Sequence, residues 1–142
     1  MTAYTIYTYD NVEVGQALDP VEHHVTAELV RDYAEATGDR SPWHTGAESP
    51  FGEAVAHPAL VTVFTTAVLE RSAKGGPSGG IHAKQEYEFL APIRIGSTLT
   101  TRSTVTEKFI RKGRKTVVFR SESVDERGVT VARCLVTNIL PQ

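Results

Sequence analysis

The sequence has 142 residues and a formal net charge of −2, which excludes bulk electrostatic attraction to nucleic acid or to an anionic membrane. No stretch approaches the roughly 20 apolar residues that span a bilayer, the first ten residues lack the pattern of a secretory signal, and the single cysteine excludes a disulfide within the chain. We therefore expect one cytoplasmic domain over residues 1–142, long enough to bury its own core.

Two short strands, residues 4–9 and 21–26, are predicted ahead of the first helix. From Thr26 onward apolar residues recur at helical spacing, with Thr26 as the N-cap and Gly38 as the residue that ends the helix. A second helix is predicted to begin at Pro58, because the missing N–H of proline costs least at the first helical position. This helix is apolar almost all round, so we expect it to be buried.

After a glycine-rich turn at residues 74–80, the chain alternates apolar and polar residues to its end. Strands are predicted over residues 81–96, 97–110, 115–124 and 129–140, with tight turns between the last three. Long strands joined by tight turns form an antiparallel sheet. One buried helix ahead of a long sheet predicts an α+β fold in which the sheet curls around the helix. Cys134 lies within the last strand, which favours an inert buried thiol.

The segment between the two helices, "ATGDRSPWHTGAESPFGEAVAHPAL", concentrates an aspartate, two histidines and the sole tryptophan. Asp39 follows the predicted helix end and His44 lies five positions on, a spacing that can bring a carboxylate and an imidazole together around a water molecule. His57 precedes the buried helix, whose N-terminus carries partial positive charge. The alternative is structural: Asp39 caps a turn, His44 is a polar loop residue and His57 satisfies a backbone carbonyl.

Two stretches of this segment, "YAEATGDRSPWH" and "SPFGEAVAHPAL", resemble the signature of the MaoC-like, R-specific enoyl-thioester hydratases and dehydratases of the hotdog superfamily, and "FLAPIRIGSTLT" resembles the family's strand entry. The resemblance implies a single hotdog domain, an antiparallel sheet wrapped around a central helix, and a homodimer joined edge to edge. It implies that the substrate is an enoyl thioester of coenzyme A or acyl carrier protein, and that water is added to give the R-3-hydroxyacyl product or removed in reverse.

The resemblance places the catalytic pair that activates water on Asp39 and His44. A family serine falls on Thr66, while Leu60 and Phe64 are expected near the acyl chain, although core packing explains both equally well. The substrate is therefore expected to contact residues at the start of the second helix and in the loop: Trp43, Pro58, Ala59, Leu60, Phe64 and Thr66. Trp43 is expected to fill space left by a loop shorter than is usual in the family.

Pro58 is the main departure from the family pattern, together with Ser41 in place of an asparagine. The family has a glycine at the position of Pro58, and its N–H donates to the thioester carbonyl, whereas proline has no N–H. Loss of one such donor costs about 2.7–4 kcal/mol of transition-state stabilisation. The N–H of Ala59 is the candidate replacement.

Two other functions stay open. A hotdog thioesterase, with or without prior addition of an amine such as glycine, would use His57 as a second base. A non-catalytic hotdog subunit is disfavoured by the intact Asp39 and His44. No spacing of His or Cys suggests a metal site, and no cofactor is expected. A basic cluster either meets phosphates of coenzyme A or the acidic face of a carrier protein, or is a solvated hairpin tip; its members are Lys108, Arg111, Lys112, Arg114 and Lys115.

Overall fold

The computed structural model describes residues 7–73 and 79–141. The helices are α1 (Ala27–Thr37) and α2 (Val61–Ala73), and the strands are β1 (Val21–His24), β2 (Ile81–Phe89), β3 (Thr98–Arg111), β4 (Arg114–Asp125) and β5 (Thr130–Ile139). The five strands form one antiparallel sheet in the order β1-β3-β4-β5-β2. The predicted α+β class is confirmed.

Helix α2 packs against the inner face of this sheet. Leu60 and Phe64 join a core cluster with Leu99 of β3, and Val68 joins a second cluster one to two turns further along the helix. Each such side chain contributes about 1.5–3 kcal/mol when it is fully buried. Val63 is different, because 43% of its surface stays exposed in the single chain. One face of the helix that the sequence predicts to be buried is therefore uncovered here.

Two hairpin turns set the register of the central strands. Between β3 and β4, Lys112 and Gly113 have φ values of 50° and 76°, the conformation that a two-residue hairpin turn requires. Between β4 and β5, a carboxylate oxygen of Asp125 accepts hydrogen bonds of 2.9 Å from the backbone N–H groups of Arg127 and Val129. Both turns agree with the sequence prediction.

The structure differs from the predicted elements in three places. The prediction of the first strand is wrong over residues 7–9, which form coil and a turn. Residues 4–6 lie outside the described residues. The strand predicted over 81–96 ends at Phe89, because the segment after it, which contains Pro92, turns away to contact the loop between the helices. A 3₁₀ turn, Pro58–Leu60, precedes α2.

Two further predictions concern the glycine-rich turn and Cys134. Residues 74–78 of the predicted glycine-rich turn lie outside the described residues. Cys134 is buried, as predicted, and burial raises the pKa of its thiol. Within residues 7–73 and 79–141, neither helix is long and apolar enough to cross a membrane.

Of the two adjacent histidines on β1, His23 faces the interior. Its ring stacks on Phe64 with centroids 4.5 Å apart, and its buried Nε2 has no hydrogen-bond partner among the described residues. His24 instead bonds through Nδ1 to the Thr98 hydroxyl at 2.8 Å. Burial lowers the pKa of His23, because no partner offsets the cost of removing a charged imidazole from water.

His23→Phe is expected to raise the free energy of unfolding by about 1 kcal/mol at neutral pH, since it removes an unpartnered buried nitrogen and keeps the ring stack. The gain should grow below pH 6.5, the ordinary pKa of histidine. There the unfolded chain binds a proton that folded His23 does not, so the native protein loses stability as the pH falls and the variant avoids this loss. Urea denaturation at about pH 7.5 and about pH 5.5 measures both effects. The control is His24→Phe, and equal gains from the two variants would contradict the prediction.

Candidate active site

The end of α1 fixes the position of Asp39. Gly38 ends the helix in the left-handed conformation with φ 70°, where glycine has no steric penalty. The N–H of Asp39 then donates to the carbonyl of Ala34 at 2.9 Å. The carboxylate is therefore held at the end of a regular helix rather than on a free loop.

Ser41 orders the next few residues. Its N–H donates to Oδ1 of Asp39 at 3.0 Å, and its hydroxyl accepts from the N–H of Trp43 at 3.3 Å. This cap begins a 3₁₀ turn, Pro42–Thr45, that contains His44. The serine that replaces the family asparagine therefore supports the loop and the carboxylate at once.

Asp39 and His44 meet directly. Nε2 of His44 lies 2.7 Å from Oδ2 of Asp39, and Nδ1 lies 2.8 Å from the carbonyl oxygen of Val55. The His44 and Asp39 side chains are only 12% and 19% exposed. A carbonyl oxygen can only accept, so Nδ1 carries a proton. One further proton can then be exchanged between Nε2 and the carboxylate.

When the pair holds this further proton, the surroundings favour the imidazole over the carboxylate as its site. The Ser41 N–H, followed by the bond from His44, lowers the pKa of the Asp39 carboxyl. Burial alone would lower the pKa of His44, but the hydrogen bonds to the Val55 carbonyl and the Asp39 carboxylate together raise it. The pair is thus an ionised carboxylate beside an imidazole that gains a proton more readily than usual.

A β-bridge and ion pairs of Arg94 hold the loop that carries Val55 in place. Val55 forms a β-bridge with Arg94, just ahead of β3. The Arg94 guanidinium lies 3.1 Å from Glu53 in the loop and 3.8 Å from Asp125 in the β4–β5 turn. The Asp125 side chain is only 4% exposed. Arg94 and Asp125 were not predicted from the sequence, because no local pattern marks two charges that meet from distant segments.

A cleft of about 620 Å³ opens between α1 and the loop, and both Asp39 and His44 line it. Arg31 and Arg40, also part of its lining, are exposed. The sequence analysis did not single out these arginines, although Arg40 directly follows Asp39. The cleft therefore combines a proton-exchanging pair with exposed positive charge.

At the start of the second helix, His57 is exposed and its ring centroid lies 6.1 Å from that of Tyr33 on α1. Its Nδ1 accepts a hydrogen bond of 3.0 Å from the N–H of Ala59. The predicted alternative, that His57 satisfies a carbonyl, does not hold for this nitrogen. The N–H of Ala59, expected as a replacement donor for Pro58, is occupied in this structure.

The remaining predicted substrate contacts are spread over the molecule. Leu60 and Phe64 are fully buried in the core and line neither the cleft nor the second cavity described next. Trp43 is exposed and packs edge-on against Phe51, with ring centroids 6.0 Å apart. Thr66 lines a second cavity, of about 470 Å³, formed by the N-terminal segment, α2 and the start of β2. These side chains do not converge on Asp39 and His44 within one chain.

The basic cluster lies at the β3–β4 turn. Lys108 donates to the carbonyl of Val12 and lies 4.6 Å from the ring centroid of Tyr9. The loop that carries Val55 lies near the start of β3, and the β3–β4 turn lies at its other end. The 14 residues of β3 separate the two by roughly 40 Å. This geometry favours the interpretation as a solvated hairpin tip over a phosphate site at Asp39 and His44 of the same chain.

Comparisons with known proteins identify the family of the chain. The family described as "FAS1-like, dehydratase domain region" matches residues 13–134. The 3-hydroxybutyryl-CoA dehydratase of Methylorubrum extorquens is 31% identical over 103 residues, which cover 70% of this chain and 64% of that protein. The UPF0336 protein SCO4636 of Streptomyces coelicolor is 30% identical over 131 residues, which cover 84% of this chain and 86% of that protein.

Among solved structures, the unliganded R-hydratase PhaJ1 from Pseudomonas aeruginosa superposes with a TM-score of 0.81 at 25% identity, covering 94% of this chain and 85% of that one. This similarity confirms the predicted hotdog fold. The family match extends over most of the chain, from ahead of β1 into β5. The chain belongs to the FAS1-like dehydratase region family of MaoC-like hotdog proteins, whose named relatives include hydratases and dehydratases.

Proposed function

We propose that the protein is an R-specific enoyl-thioester hydratase, which also catalyses the reverse dehydration. The observation that carries this proposal is the bond of 2.7 Å between His44 and Asp39, with the other ring nitrogen of His44 held by the Val55 carbonyl. A fixed imidazole–carboxylate pair that exchanges one proton is what addition of water requires.

In the proposed reaction, a water oxygen bonds to the β-carbon of the enoyl thioester. One water proton passes to the Asp39–His44 pair, and the electrons of the double bond move onto the thioester oxygen as an enolate. The α-carbon then takes up a proton as the pair returns to its starting state. The net change is the addition of one water, and the thioester bond stays intact.

The carrier is proposed to be coenzyme A or acyl carrier protein, since both present phosphate groups at the end of a thioester arm. Arg31 and Arg40 at the cleft support this proposal, because guanidinium groups bind phosphate through paired hydrogen bonds. Their position beside the reactive pair makes them better candidates than the basic cluster on the β3–β4 turn.

We also propose a homodimer joined through β2. Among the described residues, β2 pairs only with β5 and leaves its other edge open. Phe89 and Leu90, at and just beyond the end of β2, and Val63 on α2 are each more than two-fifths exposed. An open strand edge beside exposed apolar side chains favours pairing with a second copy.

Mass spectrometry of crotonyl-CoA incubated with the protein tests the proposed function. We expect a product that has gained one water and is still a thioester, formed by the wild type and lost with His44→Ala. Free acid would identify a thioesterase. An amine adduct formed only when glycine is present would identify conjugate addition. An unchanged thioester across a series of chain lengths would favour a binding subunit.

A further inference from the structure

Addition of water places negative charge on the thioester oxygen, and a hydrogen-bond donor aimed at that oxygen stabilises the charge. The 3₁₀ turn Pro58–Leu60, which leads into α2, offers no free backbone donor. Pro58 has no N–H, the N–H of Ala59 donates to Nδ1 of His57 at 3.0 Å, and the N–H of Leu60 donates to the carbonyl of His57 at 3.0 Å. The donor must come from another group.

The bond from Ala59 also determines where His57 carries its proton. A ring nitrogen that accepts a hydrogen bond has no proton of its own, so the neutral imidazole must be protonated at Nε2. A proton on Nδ1 would bring two N–H groups face to face and break the bond to Ala59. His57 therefore presents a fixed N–H donor at Nε2 and no free basic nitrogen.

His57 follows the loop whose Val55 carbonyl holds His44, and it is not among the residues that line the cleft. It comes two positions after Val55, and its ring is solvent-exposed next to Tyr33. It is also close enough to Asp39 for a positive charge on its ring to lower the pKa of that carboxyl, after the larger effects of Ser41 and His44.

We infer that Nε2–H of His57 donates the hydrogen bond to the thioester oxygen, in place of the N–H that Pro58 lacks. The inference rests on the proposed hydratase function and gives His57 a role as donor rather than as a second base. His57 keeps its proton throughout, so it changes the energy of the enolate without changing the proton balance of the reaction.

The first test combines His57→Asn with Pro58→Ala. Asparagine keeps an oxygen that can accept from Ala59, but its amide is too short to reach as far as Nε2. We expect kcat for crotonyl-CoA hydration to fall about 10²–10³-fold, with KM and the denaturation midpoint nearly unchanged. Adding Pro58→Ala restores a backbone N–H and should recover at least about tenfold in kcat. His24→Asn, at an exposed histidine of β1, is the control and should have little effect on kcat.

The second measurement does not depend on activity. Imidazole ¹⁵N chemical shifts of the wild type, assigned by comparison with His57→Asn, report which nitrogen carries the proton, and we expect Nε2. A proton on Nδ1 would overturn the donor role whatever the activity. So would a His57→Asn variant that keeps kcat within about threefold of the wild type, or a loss of kcat that Pro58→Ala does not repair. A wild type that adds no water to any thioester would overturn the proposed function together with this inference.

Discussion

Replacing His44 with alanine, or Asp39 with asparagine, is expected to lower kcat/KM for hydration by about 10²–10⁴-fold, the usual contribution of a positioned acid–base group. Alanine removes the ring that takes the water proton. Asparagine leaves the backbone bonds around residue 39 largely in place but removes the charge that raises the pKa of His44. Both losses should appear in kcat, because neither side chain is needed to bind the carrier.

The dependence of kcat/KM on pH provides a second readout of the same pair. A protonated His44 cannot take a proton from water, so activity should fall on the acid side with an apparent pKa above 6.5, the ordinary value for histidine. In Asp39→Asn the acid limb should move to lower pH, since the carboxylate no longer favours the charged ring. Asp19→Asn, at an exposed position ahead of β1, is the matched control. A wild-type profile without an acid limb in this range would contradict the assignment.

Stability should respond to pH in the opposite direction. The raised pKa of His44 stabilises the fold below pH 6.5, and this contribution is lost as the pH rises through the raised value. The lowered pKa of Asp39 stabilises the fold above pH 3.8 and is lost as the pH falls. The pair therefore stabilises the protein most under mildly acidic conditions, where its imidazole is least able to act as a base.

Asp125→Ala is expected to lower the free energy of unfolding by about 3 kcal/mol, because removing one partner of a buried ion pair leaves the other partners uncompensated. The carboxylate accepts two backbone hydrogen bonds in the β4–β5 turn and lies 3.2 Å from Arg127 and 3.8 Å from Arg94. Hydration activity should fall as well, since Arg94 would lose one of the two carboxylates that hold it against the loop that carries Val55.

Asp125→Asn separates the two contributions. The amide keeps one oxygen for the backbone N–H groups of the turn but carries no charge for Arg94 and Arg127. We expect about half of the loss seen with alanine, as judged by urea denaturation. Asp19→Ala, at an exposed position, is the control. An Asp125→Ala variant as stable as this control would show that the turn does not depend on the carboxylate.

The reactive pair could be predicted from the sequence because its geometry is local. A helix ends at Gly38, and five residues and one 3₁₀ turn then bring His44 back to Asp39. The ion pairs of Arg94 with Glu53 and Asp125 could not be predicted, since the three residues come from segments that meet only in the folded protein. The occupied N–H of Ala59 depends on the orientation of one ring, which no spacing determines.

The predicted strand over 81–96 failed for a different reason. Residues 90–96 keep an alternating pattern, but alternation reports only that successive side chains point to opposite sides of an extended chain. Whether such a chain joins a sheet depends on the partner that it finds. Here the carbonyl of Ile93 accepts from the N–H of Ala56 at 2.8 Å, so this segment supports the loop between the helices rather than extending β2.

The two hairpin turns, which look alike in sequence, differ as places to attach a label or insert a peptide. Lys112 and Gly113 are both exposed, and this two-residue loop ends the β3–β4 ladder. At the other turn, Glu126 accepts a hydrogen bond of 3.0 Å from the N–H of Thr98, and Asp125 holds Arg94. A fluorophore or affinity tag should therefore be attached at Lys112. Attachment at Glu126 would disturb the contacts that position the loop holding His44.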